Sequence, residues 1–123
     1  MEHEDITDIV IGCAMKVHSA LGPGLLESAY EICLVHELKK NGVNVLSQVA
    51  LPVFYDGVQL DVGYRIDVLV EDCVVVELKS VEKLTSLYQA QLMSYLKLSG
   101  KRVGLLINFN TEHLRDGIKR IIL

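Results

Sequence analysis

Several things are scarce in this chain, and each shortage removes a class of explanation. Its three cysteines, Cys13, Cys33 and Cys73, are an odd number with no C-x-x-C spacing. That pattern argues against a disulfide framework and against a zinc knuckle, and each cysteine sits in an apolar stretch as a small core residue. No apolar run approaches the ~20 residues of a membrane-spanning helix. The opening Met1-Glu2-His3-Glu4-Asp5 is acidic where a secretory leader is basic, so the expectation is a cytoplasmic protein. Basic charge is also in short supply: 12 Lys and Arg stand against 16 Asp and Glu, for a formal net charge of −4. A protein that holds nucleic acid by charge alone is basic. Any nucleic-acid role must therefore rest on a local site, a bound metal or a partner.

What is present is a well-patterned globular sequence. Half the residues are hydrophobic and mean hydropathy is +0.33, enough for one buried core. At 123 residues the expectation is a single domain spanning 1–123. Ile6, Ile9, Val10, Cys13, Val17 and Leu21 recur at helical spacing, predicting a helix over residues 5–20 that Gly22-Pro23-Gly24 ends. A second helix follows over 25–40, with Leu26, Tyr30, Cys33, Leu34 and Leu38 on its buried stripe and Asn41-Gly42 at its end. From Val43 the period shortens. Residues 45–54 read as a strand, with Pro52 pointing to an edge position, and Asp56-Gly57 is a two-residue hairpin signal leading into a return strand over 58–70. Residues 73–78 are a third strand. Thr85 or Ser86 caps a helix running to Leu98 and ended by Gly100, Val103–Phe109 is a buried strand, and a short tail closes the chain. The order ααβββαβ predicts an α/β fold with a mixed central sheet flanked by helices.

The chemistry concentrates in Tyr64-Arg65-Ile66-Asp67 and in Val74-Val75-Val76-Glu77-Leu78-Lys79. On a strand Glu77 and Lys79 share one face, while Val74, Val76 and Leu78 share the other. Charge at the end of so apolar a strand is costly unless it is exposed or in use. A two-residue turn pairing Val70 with Cys73 would set Asp67 opposite Val76. A three-residue turn or one bulge sets it opposite Glu77, with Cβ atoms about 5 Å apart, and this longer turn is the expectation. Two carboxylates so placed suit a hard cation such as magnesium, which lowers the pKa of a water and polarises a phosphoryl oxygen. Lys79 would orient that water or offset charge on the phosphate. Without metal, one carboxyl should be raised in pKa or the pair should splay apart. Ordinary exposed positions are the competing reading of all three residues.

Other residues carry two readings each. Glu27 complements the dipole of the second helix, yet it shares a side with Tyr30 and Leu34 and lies at the margin of the buried stripe. Gln91 and Tyr95 stand four apart on one helical face, either as a half-exposed surface or as support for a ligand. His18 either bonds a nearby carbonyl or contacts the site. Arg65 would share the face of Asp67 in a regular strand, to pair with a carboxylate or meet a phosphate. His3, His36 and His113 have no metal spacing. Lys97, Lys101 and Arg102, and Arg115, Lys119 and Arg120, are small basic clusters that solvate a face or touch a backbone phosphate.

Together these residues resemble the PD-(D/E)XK nuclease superfamily, and more narrowly its GxxExxY family, whose signature is present as Gly24, Glu27 and Tyr30. The resemblance covers nearly the whole chain, including Val17-His18, Leu21-Gly22-Pro23-Gly24 and Gly104-Leu105-Leu106-Ile107-Asn108-Phe109. It implies the superfamily's αβββαβ core after one extra helix. The superfamily Asp corresponds to Asp67, its E-x-K to Glu77 and Lys79, its helical acid to Glu27, and Gln91-x-x-x-Tyr95 resembles the Q-x-x-x-Y of the RecB-like branch. Arg65-Ile66 stand where a proline often precedes the Asp. The implied activity is Mg2+- or Mn2+-dependent hydrolysis of phosphodiester bonds, with DNA favoured. Glu27, Asp67, Glu77 and the Leu78 carbonyl would bind metal, and Lys79, Gln91 and Tyr95 would complete the catalytic set. His18, Tyr30 and Arg65 would stand behind it or meet substrate. The alternative is a non-catalytic interaction module on a nuclease-like scaffold, as a homodimer or a subunit with a partner protein.

Overall fold

The computed structural model describes all 123 residues. Helix α1 (His3–Leu21) buries Ile6, Val10, Cys13, Ala14 and Val17, the three- and four-residue spacing that puts one stripe against a sheet. Helix α2 (Glu27–Lys40) buries Tyr30, Leu34 and Leu38. Leu26, assigned to that stripe by spacing, is instead 77% exposed because it precedes the helix as its N-cap. Helix α3 (Ser86–Ser99) ends at Gly100 in the left-handed conformation, and Thr85 occupies its N-cap position without a side-chain bond.

Seven strands are present where the sequence predicts four. Five form one sheet in the order β1-β4-β5-β6-β7: β1 (Val45–Ala50), β4 (Arg65–Val70), β5 (Val74–Lys79), β6 (Val103–Asn108) and β7 (Ile118–Ile122). Only β5 and β6 run parallel, joined through α3, so the sheet is mixed as expected. The long strands predicted over 45–54 and 58–70 are each interrupted. Pro52, which has no N–H for a ladder, lies between β1 and β2 (Val53–Tyr55). Residues 61–64 separate β3 (Val58–Leu60) from β4. β2 and β3 form their own two-stranded ribbon around Asp56-Gly57, whose φ values of 52° and 74° suit a tight hairpin turn. The tail, after a 3-10 turn at Leu114–Gly117, pairs with β6 as β7.

The sheet separates two apolar layers. Val68, Val70, Val74, Val76, Leu78, Leu105 and Ile107 pack with α1 and α2, while Leu69, Val75 and Leu106 pack with Leu92, Tyr95 and Leu96 of α3. By alternation, Glu77 and Lys79 share the α3 face with Val75. Gly104 is what lets α3 approach, since a Cβ there would stand 2.9 Å from the Leu92 Cδ1 atom. Gly104→Val should therefore push α3 outward, with a loss of about 1–3 kcal/mol. A denaturant midpoint equal to wild type would show that α3 has slack.

Candidate active site

The turn between β4 and β5 sets the register of the site. Glu71 and Asp72 both take φ of 52°, and the Cys73 N–H donates to the Val70 carbonyl at 3.1 Å. Pairing resumes at Val70↔Val74, so Cys73 is an extra residue in the hairpin. Three residues thus separate the strands, and the series Val70↔Val74, Leu69↔Val75, Val68↔Val76 continues to Asp67 and Glu77. There side chains take over from the ladder. The Asp67 N–H donates to Glu77 Oε1 at 3.2 Å, and the Leu78 N–H donates to Asp67 Oδ2 at 2.9 Å.

Glu77 is 4% exposed. Burial, and then the Asp67 charge, push its carboxyl up to about 9, against the Asp67 N–H and the Lys79 ammonium, which favour the anion. At neutral pH the carboxyl of Glu77 therefore keeps its proton, which relieves repulsion with Asp67. Next along the same face, Lys79 Nζ donates to Gln91 Oε1 at 3.4 Å and lies 4.8 Å over the Tyr88 ring. The Gln91 amide in turn donates to the Tyr95 hydroxyl at 3.3 Å. Burial and the nearby Glu77 charge hold the Tyr95 phenol above its ordinary pKa. Lys79, Gln91 and Tyr95 thus form one hydrogen-bonded chain beside Glu77. A groove of about 410 Å³ lined by Lys79, Leu87, Tyr88, Ala90, Gln91 and Ser94 opens next to it. A larger cavity of about 620 Å³ lies elsewhere, between the end of α1 and Glu112–Arg115.

Tyr30 lies behind the site. It is fully buried and stacks on Phe109 at 4.4 Å and 11°. Its hydroxyl donates to the Gly22 carbonyl at 2.6 Å and accepts from the Leu25 N–H at 3.1 Å. It fastens the loop that carries Gly24, whose φ of 97° favours glycine, into Glu27. Ser80, just past Lys79, donates to the Leu25 carbonyl at 2.6 Å and ties that loop to the end of β5. Tyr30→Phe keeps the stack and leaves the Leu25 N–H and Gly22 carbonyl without their partner. A stability loss of about 1–3 kcal/mol is expected, read from the denaturation midpoint. An unchanged midpoint would mean that water replaces both bonds.

The remaining candidates divide. Glu27 is exposed in the first turn of α2. No three His, Cys, Asp or Glu side chains are gathered closely enough to hold a metal, so Glu27, Asp67 and Glu77 are not a ready-made trio. The helical acid linked to Asp67 is Glu31, one turn further on, and sequence reasoning missed it. Gln48 Nε2 donates to Glu31 Oε1 at 2.7 Å and to Asp67 Oδ1 at 3.4 Å. Burial raises the Glu31 carboxyl, the Gln48 bond opposes that, and the Asp67 and Glu27 charges add to it. The four-residue spacing of Glu27 and Glu31 was the available signal. Nothing in the sequence singled out Gln48.

Arg65 does not join the acidic face. Its Nη1 donates to the Gln48 carbonyl at 3.5 Å and it makes no ion pair. The reason is a break in alternation: Ile66 packs on the α3 side although Val68 and Val70 pack on the other. Across from Asp67, Gln48 takes φ of 53° while the register on either side, Ser47↔Val68 and Val49↔Ile66, stays constant. A left-handed non-glycine residue within a strand costs about 1–2 kcal/mol. His18 is buried with Nε2 2.8 Å from the Thr111 carbonyl, so Nε2 carries the proton. That is the carbonyl-bonding reading, and no hydrogen bond joins His18 to Asp67, Glu77 or Lys79. His3, His36 and His113 are exposed. Lys101 pairs with Asp72 at 3.1 Å, and Arg120 donates to Thr7 at 2.9 Å.

The donor set suits a hard divalent cation: two carboxylates across one strand pair and the peptide between Glu77 and Lys79, all oxygen ligands. An ion would have to displace the proton on Glu77 and the N–H bonds to both carboxylates. No helix is long and apolar enough to cross a membrane. Compared with known proteins, residues 4–121 match a family model of the PD-(D/E)XK nuclease superfamily. No curated protein and no solved structure matches significantly.

Proposed function

The chain belongs to the PD-(D/E)XK nuclease superfamily, and from that premise we propose that it is a metal-dependent nuclease of the GxxExxY kind that hydrolyses phosphodiester bonds, DNA being the favoured substrate. One observation carries this reading: Asp67 stands opposite Glu77, and the Lys79–Gln91–Tyr95 chain lies on the same face. Three ionisable groups in that register at the end of an apolar strand are hard to explain as surface decoration.

Asp67, Glu77 and the Leu78 carbonyl would hold magnesium or manganese, with Glu27 approaching from α2. The ion supplies charge neutralisation at the phosphate and a water of lowered pKa. The protein's own residues do the rest. Lys79 presents a compact ammonium that orients the attacking water and offsets charge on the phosphate. Gln91 accepts from Lys79 and so limits where that ammonium points. Tyr95 holds the Gln91 amide in the orientation that accepts. Tyr30 and Ser80 keep the Glu27 loop against the end of β5. The three free thiols fit the reducing cytoplasm as the working compartment.

The test is cleavage of labelled single- and double-stranded DNA, with RNA and nucleotides for comparison. Hydrolysis of DNA should appear with Mg2+ or Mn2+ and vanish with EDTA. If no substrate is cut with either metal, the enzymatic reading fails. The net charge of −4 supports the second reading, a non-catalytic module that works with a partner. On that reading neither metal shifts the melting temperature.

A further inference from the structure

We infer that Gln48 is a positioning residue for Asp67, spanning from β1 to hold that carboxylate in place and to couple it to Glu31. The inference rests on the nuclease reading only for its catalytic consequence. Three observations meet at this residue. Gln48 is the one residue of β1 with positive φ, at 53°, and its pairing with Asp67 is the step missing from a ladder otherwise in constant register. Glutamine has no intrinsic preference for that conformation, so the surrounding fold imposes it. Backbone held in this way is found where a site needs it. The side chain then makes the two contacts that a single NH2 group allows, one proton to Glu31 Oε1 at 2.7 Å and the other to Asp67 Oδ1 at 3.4 Å.

The consequence is specific to Asp67. Its Oδ2 already accepts from the Leu78 N–H at 2.9 Å. With Gln48 on Oδ1, both oxygens are held from opposite neighbours, β5 on one side and β1 on the other, and the carboxylate plane is fixed. The same amide lies between two acids that would otherwise repel each other, and it links α2 to the strand that carries Asp67. Groups that orient a ligand from behind commonly matter 10- to 100-fold.

Gln48→Gly separates the positioning role from a structural one. Glycine accepts φ of 53° without strain, so the variant should keep or raise the wild-type melting temperature while losing the amide. DNA cleavage with Mn2+ should fall about 10-fold or more in kcat, with KM for DNA little changed. Gln48→Asn, which tolerates this backbone but is one methylene shorter, should recover only part of the rate. Wild-type kcat in a stable Gln48→Gly protein would overturn the positioning role. A second measurement needs no activity: a denaturation cycle over Gln48→Gly, Asp67→Ala and the double variant. The midpoint shifts should be non-additive if the contact holds, and additive shifts would overturn the contact itself. If wild type cuts nothing, the nuclease reading fails and the cycle still decides whether Gln48 holds Asp67.

Discussion

Lys79→Ala should leave the protein folded and reduce metal-dependent cleavage about 10²–10³-fold, the usual cost of removing one preorganised electrostatic group. Lys79 is only half-buried, and its contacts are a 3.4 Å bond to Gln91 and the Tyr88 ring, so little stability depends on it. The ammonium has no nearby substitute. The acids beside it offer no positive charge, and Arg65 is turned away to the Gln48 carbonyl. Lys79→Arg should also lose most of the rate, because a planar guanidinium cannot occupy the position of a compact point charge. Gln91→Ala should cost less, since it frees the ammonium without removing it. The check is single-turnover cleavage beside a thermal melt of each variant. Full activity in a clean Lys79→Ala preparation would remove Lys79 from the chemistry.

The second large effect is on stability, and its sign follows from Glu77. The folded carboxyl sits at about 9 against an ordinary 4.5, so between those values the native state holds a proton that the unfolded chain releases. Stability therefore falls as pH rises through that window, at about 1.4 kcal/mol per unit for one group. The protonated carboxyl's contribution is complete below 4.5 and lost as pH climbs through 9. From pH 4.5 to 7 the metal-free protein should lose roughly 3 kcal/mol from this residue. Glu31, also raised by burial, adds in the same sense. Glu77→Gln removes the ionisation, and its amide can still accept from the Asp67 N–H while donating to the Asp67 carboxylate. The variant should be more stable than wild type at pH 7, by ~10 °C in Tm for a domain of this size, and should show a flatter pH profile. Parallel pH profiles for the two proteins would mean that Glu77 is ionised in the native state. Residues such as Glu37, lowered by the Lys16 bond, are common to both proteins and cancel in the difference.

How far the sequence disclosed this arrangement depends on the kind of signal each part left. The Asp67–Glu77 register was legible because strand parity leaves two choices, and only the longer turn brings the acids together. Gln91 and Tyr95 were legible from helical spacing. The hairpin of β2 and β3 shows at its turn but not as a separate ribbon, because the continuous apolar run Ala50-Leu51-Pro52-Val53 hides the break between β1 and β2. β7 read as a tail because Lys119 and Arg120 dilute its apolar pattern, and edge pairing with β6 is a tertiary decision. Gln48 and Glu31 left almost no trace. A left-handed residue is visible in a sequence when it is glycine or asparagine, and here the fold imposes that conformation on a glutamine. Arg65 departs from its expected face for a related reason, since strict alternation does not hold across a strand that changes phase at Asp67.

The most direct measurement is manganese binding by calorimetry in buffers of different ionisation enthalpy, on wild type, Asp67→Asn and Glu77→Gln. A shared cation site predicts binding to wild type with uptake of a proton by buffer, because Glu77 must ionise to become a ligand. It also predicts loss of that binding in both variants. Binding that survives in both, or that releases no proton at pH 7, would contradict a metal held between Asp67 and Glu77.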